Sequence, residues 1–353
     1  MKLPRRRFLH LVASAAALPV VSRTASAQAY PARAITLIVP FPPGGSTDVA
    51  ARIVADHMSR TLAQQVVVQN LSGAGGTTGS IRAMRADPDG YTILMGQMGT
   101  HAAAVGLYPN LAYKPAEDFE PIGLVTGFPI IIAAKKDFPA KDLKEFVAYL
   151  KANSGSLNQA HAGVGSIFFT TCLLLNSIVG AKPTAVPFNG GAPAMNALVG
   201  GQVDYMCADI ITGGTHHEGN RIKVYGIASP VRNPALADVP TTAEAGLPEY
   251  QVSAWNGLFA PKGTPKPILD RLVDALDKAL DDEATRQRML VLGCDIPDKS
   301  KRGPEPFLAL VKSEIARWSP LITFDLFDCL RGAPYLSCQF LPREIQRFPP
   351  PQH

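Results

Sequence analysis

Short apolar runs alternate with longer amphipathic segments along most of this chain, and glycine-rich turns separate them. Ile35–Val39 and Tyr91–Met95 have the composition of buried strands, and the same rhythm restarts after Pro129. Alternating strands and helices predict a mostly parallel sheet that is covered by helices on both faces. We therefore expect two α/β lobes, with a ligand in the crevice at the carboxyl ends of the strands.

Three glycine-rich turns stand between a predicted strand and a predicted helix start. They are Pro40–Asp48, Gly73–Gly79 and Gly163–Ser166. A helix N-terminus carries unpaired backbone N–H groups and a partial positive charge, so such a turn can hold an anion without a cationic side chain. None of the turns contains the lysine of a nucleotide-binding P-loop. The pattern predicts anion binding and no catalytic residue.

The first 29 residues have the order of an export signal. Three arginines, Arg5–Arg7, precede Phe8-Leu9, an apolar run follows, and Ala25–Ala29 offers an Ala-x-Ala cleavage site near residue 27 or 29. The arginine spacing indicates twin-arginine export to the periplasm. The alternative is a membrane anchor, but the apolar run is shorter than the roughly 20 residues that a bilayer requires.

Removal of this signal changes the charge balance of the chain. Five of the 34 basic residues precede the cleavage site, and the 29 that remain equal the 29 acidic residues in number. A mature chain without net charge gives no indication of nucleic acid or a membrane surface as partner.

Cysteine and histidine usage predicts neither a disulfide scaffold nor a metal site. The five cysteines are an odd number without close spacing, and we expect Cys172 and Cys207 to be unpaired, buried and small apolar side chains. His216-His217 is the only adjacent histidine pair and has no cysteine or carboxylate cluster beside it. We therefore predict no metal and no cofactor.

An exported enzyme is the main alternative class. Gly73-Ala74-Gly75 followed by Gly79 loosely resembles a dinucleotide-binding turn, but the last glycine is displaced by one position. The next acidic residues, Asp87 and Asp89, fall in a turn, and the sequence contains no Gly-x-Ser-x-Gly nucleophile motif. These features favour a binding protein over an enzyme.

Six motifs in order resemble the extracytoplasmic receptors of tripartite tricarboxylate transporters, also called Bug proteins, over about residues 30–321. The motifs are Ile38–Asp48, Gly73–Gly76, Asp87–Thr92, Val186–Met195, Asp238–Gly246 and Ala254–Pro265. The resemblance implies a type II periplasmic-binding-protein fold with a ligand cleft between two lobes. Lobe I would comprise residues 30–128 and 250–322, and lobe II residues 129–249.

The resemblance also implies a receptor function and a set of ligand contacts. The expected ligand-binding residues are Phe41, Gly45, Ser46, Thr47, Asp48, Gly75, Gly76, Thr77, Thr78, Thr100, His101, Gly165, Ser166 and Asn189. They would hold a small carboxylate, either a di- or tricarboxylate, an acidic amino acid or an aromatic carboxylate. Expected partners of the monomeric receptor are the large and small membrane subunits of the transporter. A ligand sensor that feeds a membrane receptor is the alternative.

Three features depart from the family pattern. Phe169 stands where many relatives have a histidine, which favours a larger apolar or aromatic ligand. Ala208, with Asp209 beside it, stands where the strand that ends Val203–Cys207 usually runs into an aspartate, which removes a partner for a ligand amine or hydroxyl. Residues 323–353 lack periodicity, and we expect a disordered tail from a shifted reading frame or altered terminus, with a functional extension as the alternative.

Individual roles stay open at several positions. Asp48 is either a helix cap or a ligand contact, and His101 either donates to a carboxylate or only lines the cleft. Trp255 either forms the floor of the pocket or packs at the hinge. Thr241 and Glu244 have the spacing of a capping box and predict a helix that begins there.

Overall fold

Hydrophobic strands on either side of one long central strand build the sheet of this protein. The computed structural model describes residues 30–332. The strands are β1 (Ile35–Val39), β2 (Val66–Asn70), β3 (Thr92–Gln97), β4 (Phe119–Lys135), β5 (Asn158–His161), β6 (Thr184–Pro187), β7 (Tyr205–Asp209), β8 (Ile222–Ile227) and β9 (Ser253–Pro261). Within the described residues they form one nine-stranded sheet in the order β2-β1-β3-β9-β4-β7-β5-β6, and β8 pairs with β4.

Helices follow most strands, as the alternating pattern predicts. They are α1 (Ser46–Leu62), α2 (Thr77–Met84), α3 (Ala104–Leu107), α4 (Leu143–Asn153), α5 (Ile167–Val179), α6 (Gly191–Val199), α7 (Ile210–Glu218), α8 (Lys266–Asp281), α9 (Glu283–Val291), α10 (Lys299–Arg302) and α11 (Pro304–Gly332). Short 3₁₀ turns occur at Ala74–Gly76, Ser154–Ser156 and Pro234–Leu236, and a π-helical turn at Gly99–Ala103 leads into α3.

The central strand β4 divides the sheet into two halves. Its first part, Phe119–Pro129, pairs with β9, and its second part, Ile130–Lys135, pairs with β7 and β8. We call the half with β1, β2, β3 and β9 and its helices the first lobe, and the half with β5–β8 and its helices the second lobe. The mixed α/β architecture with two lobes agrees with the predicted fold class.

The prediction of a mostly parallel sheet is right for the flanks and wrong for the centre. β1 is parallel to β2 and β3, and β5 is parallel to β6 and β7. β9 is antiparallel to β3 and β4, and β4 is antiparallel to β7 and β8. An apolar run does not reveal which strand it pairs with. The sequence therefore could not show that β4 and β9 run antiparallel to their neighbours.

Successive residues of β1 enter two separate hydrophobic clusters, so helices cover both faces of the first lobe. Leu37 packs in one cluster with Val54 of α1 and Leu272 of α8. Ile38 packs in the other, which includes Phe307 of α11. Complete burial of one such aliphatic or aromatic side chain stabilises the folded state by about 1.5–3 kcal/mol. The glycine-rich turns thus extend from the carboxyl ends of buried strands.

A disulfide joins Cys172 of α5 to Cys207 of β7, which corrects the prediction of two unpaired cysteines. Both side chains are buried, as predicted. The two residues are 35 positions apart in sequence, but α5 packs directly on β7 and brings their Cα atoms within 5.2 Å. Sequence spacing alone could not show this proximity. Disulfides of this kind persist in exported proteins.

The helix predicted to begin at Thr241 is absent from the described structure. The capping-box bonds do form, because the Thr241 N–H donates to Glu244 (2.8 Å) and the Glu244 N–H donates to the Thr241 hydroxyl (3.1 Å). The chain then turns at Gly246, whose φ of +94° is left-handed, and Pro248 follows. The Thr241–Glu244 capping box therefore forms as predicted, but the chain continues as a single turn and not as a helix.

The last helix extends into the segment after residue 322, for which the sequence predicts disorder. Helix α11 continues to Gly332 because neither glycine nor a further proline interrupts the chain between Pro320 and Gly332. Trp318 and Ile322 are buried against the core. Residues 333–353 and the predicted signal, residues 1–29, lie outside the described residues.

Candidate functional site

Four helices begin around one small cavity between the lobes. The cavity has a volume of about 50 Å³, and residues at or near the starts of α1, α5, α6 and α7 line it. The first lobe contributes Phe41, Gly45, Ser46 and Thr47, together with Gln97 from the end of β3. The second lobe contributes Ala162, Ser166, Phe168, Gly190, Gly191 and Thr212. No lysine or arginine lines this cavity, so an anion bound there would depend on the helix N-termini for positive charge.

The turn before α1 is held in place by Asp48. One carboxylate oxygen of Asp48 accepts hydrogen bonds from the Gly44 N–H and from Arg52 Nε, each at 2.9 Å. The other accepts from the Asn70 amide at 2.8 Å, and that amide also donates to the Phe41 carbonyl. Burial alone would raise the pKa of Asp48, but bonds from Arg52, Gly44 and Asn70 outweigh it and hold the pKa below its usual range. Asp48 thus braces the turn and does not line the cavity.

Ser46 and Thr47 are the first residues of α1 and face the cavity. Both are buried, and the Thr47 hydroxyl lies 3.4 Å from Oδ1 of Asn256 on β9. The first N–H groups of a helix have no acceptor within it, so this turn offers backbone donors beside two hydroxyl groups. A carboxylate placed here would accept charge-assisted hydrogen bonds, which are about twice as strong as neutral ones.

The second lobe presents its helix starts in the same direction. Ser166 caps α5, since its hydroxyl accepts the Phe169 N–H at 3.2 Å. Gly190 precedes α6 with a φ of +111°, and a side chain there would press against Pro42 of the first lobe. The backbone at Gly190 therefore needs glycine both for its conformation and for close contact between the lobes.

Asp209, which stands beside Ala208 in the sequence, is a functional candidate that the sequence reasoning did not select. It ends β7, is fully buried, and caps α7 by accepting the Thr212 N–H at 2.7 Å. Its second oxygen has no hydrogen-bond partner among the described residues, and the nearby Ser46 side chain acts to lower the pKa of Asp209. Burial raises the pKa of Asp209, and hydrogen bonding offsets this only in part. Ala208 does not leave the strand end without an aspartate, since Asp209 supplies one a single residue later. The Asp-x-x-Thr cap spacing is the signal that could have found it.

His101 and Thr100 lie in the core and not at the cavity. The His101 ring stacks on Phe259 with centroids 4.1 Å apart and also contacts Phe119. Its Nδ1 pairs with the Thr100 hydroxyl at 2.8 Å, and burial lowers the pKa of His101 to about 3. Both residues are fully buried, and neither is among the residues that line the cavity.

The second glycine turn joins the lobes and does not line the cavity. The Cα of Gly75 is close to Gly165, and a side chain on Gly75 would collide with the Val164 carbonyl. Gly76, with a φ of +93°, fits against Phe41 and Thr100. The Thr77 hydroxyl donates within its own turn to Ala74 (2.8 Å). We also find Thr78 and Asn189 exposed and outside the cavity lining.

Aromatic residues near the site have different positions from those expected. Phe168 lines the cavity, whereas the Phe169 ring packs on His161 with centroids 5.0 Å apart. The Trp255 ring meets Phe307 edge to face at 5.5 Å, so Trp255 packs against α11 instead of forming a pocket floor. Which aromatic ring faces a cleft depends on the position of its residue within the first helical turn. Predicting that orientation requires the exact first residue of the helix.

Gln97, Gly190, Gly191 and Thr212 are further cavity residues that sequence reasoning did not select. Gly190-Gly191 before a helix repeats the arrangement of Gly44-Gly45 before α1 and could have been found on that ground. Gln97 is a polar residue at the end of a buried strand, which is the position that the fold rule favours for ligand contact.

A wider groove of about 680 Å³ lies on the outer side of the first lobe, between α1 and the edge strand β2. Arg52, Arg60 and Val66 are among its lining residues. All of its walls belong to one lobe and none contains a glycine turn. We therefore assign the ligand site to the smaller cavity between the lobes.

Among residues 30–332, no group of three or more histidine, cysteine, aspartate or glutamate side chains is placed to hold a metal ion. In the same part of the chain, none of the helices combines the length and apolar character needed to cross a membrane.

The sequence profile of the tripartite tricarboxylate transporter family receptor matches residues 50–324. A UPF0065 protein of Agrobacterium vitis, from the TAR-I ttuE-ttuC' intergenic region, is 38% identical over 90% of this chain and 91% of its own length. BugT of Bordetella pertussis is 32% identical over 90% of this chain and 96% of its own.

Three solved structures have a similar fold. MatC from Rhodopseudomonas palustris, with bound malate, is 46% identical, with a TM-score of 0.80 over 83% of this chain and 100% of its own. The periplasmic binding protein BugD is 40% identical, with a TM-score of 0.79 over 84% and 98% of the two chains. A second R. palustris protein, solved with adipate, is 29% identical, with a TM-score of 0.78 over 83% and 97%.

Proposed function

The chain belongs to the tripartite tricarboxylate transporter receptor family, and we propose that it captures a small carboxylate between its lobes and passes it to a two-subunit membrane permease. Its relatives are solute-binding proteins and not enzymes. The observation that carries the proposal is the convergence of four helix starts on one cavity that lacks cationic side chains.

The chemistry of the cavity supports a carboxylate as ligand. Ser46, Thr47, Ser166 and Thr212 supply hydroxyl groups next to the unpaired N–H groups of helix starts. Phe41 and Phe168 supply apolar surface on opposite lobes. This combination suits a short carbon chain with an anionic end, which agrees with malate in MatC and adipate in the second R. palustris protein.

We propose that capture involves movement of the lobes. β4 changes partners between Pro129 and Ile130, and β9 begins at Ser253, so these points support the boundaries of lobe I at 30–128 and 250–322 and of lobe II at 129–249. Gly75 and Gly165 are in contact across the cleft, so the lobes must separate before a ligand larger than the cavity can enter.

The receptor is proposed to act in the periplasm as a monomer, after removal of residues 1–29 by the twin-arginine route. BugD is a periplasmic binding protein, and the order of charged, apolar and small residues before Tyr30 supports export.

A thermal-shift screen of the exported protein tests the proposed function. The probes are di- and tricarboxylates, acidic amino acids and aromatic carboxylates. A ligand at 100 times its Kd stabilises the folded state by about 2.7 kcal/mol, which moves the transition by several degrees. A shift confined to one carboxylate class supports the proposal, and no shift with any carboxylate contradicts it.

A further inference from the structure

A loop of the second lobe places two backbone carbonyl groups against glycine residues of the first lobe. The loop follows β5, and Gly163 and Gly165 within it have left-handed φ angles of +103° and +86°. The carbonyl oxygen of Val164 lies against Gly75, and that of Gly165 lies against Gly99, two residues after β3. Backbone atoms therefore make these contacts between the lobes.

Position 99 requires glycine because of the other lobe and not because of its own backbone. A Cβ atom on Gly99 would collide with the Gly165 carbonyl oxygen. Beyond its sequence neighbours, the nearest first-lobe side chain is Gln97, whose Oε1 would lie 3.4 Å from that Cβ atom, an ordinary van der Waals distance. The φ angle of Gly99 is outside the left-handed region, so alanine fits this backbone conformation. Alanine is therefore excluded at this position by the second lobe, and only while the lobes touch.

The Tyr108 hydroxyl strengthens the same contact. It donates to the Val164 carbonyl oxygen at 3.0 Å, and the Ala74 carbonyl oxygen is a second acceptor at 3.3 Å. A phenolic hydroxyl has one proton, so the two carbonyl groups, one from each lobe, share it. We call the residues that meet here the latch: Gly75, Gly99 and Tyr108 of the first lobe, and Val164 and Gly165 of the second.

The latch lies outside the ligand cavity but is connected to it through the chain. None of its five residues is among those that line the cavity. Its contacts therefore do not require a ligand. Ser166, which does line the cavity, directly follows Gly165. When the Gly165 carbonyl is in place against Gly99, Ser166 is held at the cavity wall.

We propose that Gly99 is a positioning residue for ligand capture, and that the latch holds the lobes together before any ligand binds. We call the arrangement with the latch formed the closed state. In the ligand-free receptor the closed state predominates, and a ligand enters when the latch opens. A side chain at position 99 keeps the Gly165 carbonyl out and shifts the ligand-free receptor toward an open state. The inference concerns the receptor without ligand and so goes beyond the proposed function.

Small-angle X-ray scattering of the ligand-free exported chain tests this inference. Gly99→Ala is compared with wild type and with the control Gly155→Ala, since Gly155 is exposed and a Cβ atom there has no neighbour within 4 Å. Wild type and Gly155→Ala should have the same radius of gyration, and Gly99→Ala a larger one. Its free energy of unfolding in urea should stay close to that of wild type, because the collision disappears when the lobes open. Equal radii of gyration for wild type and Gly99→Ala overturn the inference.

A second measurement does not depend on folding of the variants. Scattering by wild-type protein is recorded without ligand and with saturating L-malate or adipate. The radius of gyration should stay the same, because the ligand-free receptor is already closed. A clear decrease on addition of either ligand overturns the inference. Wild-type protein that binds neither probe weakens the proposed function, and the comparison of ligand-free wild type with Gly99→Ala still decides the inference.

Binding kinetics separate a role in closure from general damage to the fold. Stopped-flow mixing with the same probes should show faster association for Gly99→Ala than for wild type, because the cleft is open. The affinity should nevertheless be about tenfold weaker, since the bound, closed state has to accommodate the extra methyl group. A variant that was merely damaged would not associate faster. Slower or unchanged association of Gly99→Ala contradicts a latch that closes the ligand-free receptor.

Discussion

The hydroxyl of Tyr108 lies 3.0 Å from the carbonyl oxygen of Val164 and donates a hydrogen bond to it. Tyr108 follows α3 in the first lobe, and Val164 is in the loop between β5 and α5 of the second lobe. The bond therefore connects the two lobes directly, and the Tyr108 hydroxyl also lies 3.3 Å from the Ala74 carbonyl oxygen.

Tyr108→Phe is expected to weaken ligand binding about fivefold. It removes a hydrogen bond worth about 1 kcal/mol from the closed state, and closure contributes to the measured affinity. The free energy of unfolding of each lobe should change little, because the ring remains. Calorimetric titration beside urea unfolding checks both quantities, and unchanged affinity would show that the bond plays no part in closure.

Thr47→Val is expected to weaken carboxylate binding by roughly tenfold without loss of folding stability. Valine keeps the shape of Thr47 but removes the hydroxyl that lines the cavity and lies near Asn256. Thr47→Ser keeps the hydroxyl and is the matched control. Equal affinity of Thr47→Val and Thr47→Ser would remove Thr47 from the site. Gly76→Val is unsuitable for this purpose, because its side chain would collide with Phe41 and Thr100.

Asp48→Asn is expected to lower the free energy of unfolding by about 2 kcal/mol at pH 7, because a buried charged acceptor for three donors is lost. Since the folded-state pKa of Asp48 is below its unfolded value, this stabilisation is present above about pH 4 and is lost as pH falls through the folded pKa.

The control for Asp48 is Asp270→Asn, which removes an exposed ion pair with Lys266 and should change stability by less than about 0.5 kcal/mol. Urea unfolding at pH 7 and near pH 3 gives both comparisons. An Asp48→Asn protein as stable as wild type at pH 7 would refute the bracing role.

Buried His101 should make the protein less stable as the pH falls from about 6.5 toward 3. The folded-state pKa is about 3 because of burial, whereas an unfolded histidine titrates near 6.5. Between these values the unfolded chain binds the proton and the folded chain does not, so stability decreases as pH falls. His101→Phe should reduce the difference between unfolding free energies at pH 7 and pH 5. The same difference in wild type and variant would contradict a neutral, buried His101.

Sequence patterns predicted most helices and strands of this fold because each depends on local periodicity. Strand β1 occupies the predicted residues, Ile35–Val39. The patterns did not predict that β9 lies antiparallel between β3 and β4, since pairing of Ala254 with Phe128 joins residues far apart in the chain. Non-local pairing also explains the missed Cys172–Cys207 bond.

The site was predictable only where ligand-binding chemistry is local to a turn. The turns before α1 and α5 carry their own signal, and Ser46, Thr47 and Ser166 line the cavity. His101 also stands in a turn after a predicted strand. Phe119 and Phe259, which are distant from it in sequence, pack against its ring and bury it. Asp209 and Gln97 each carry a local signal, a cap spacing and a strand end. The packing that brings Asp209 near Ser46 and Gln97 to the cavity is not local.

Calorimetric titration of the exported protein with dicarboxylates, for wild type and Thr47→Val in parallel, tests the central claim most directly. The account predicts saturable binding of at least one dicarboxylate with one site per chain, and binding about tenfold weaker in Thr47→Val. Absence of binding by wild type to every carboxylate, or equal binding by both proteins, would contradict a carboxylate site at the start of α1.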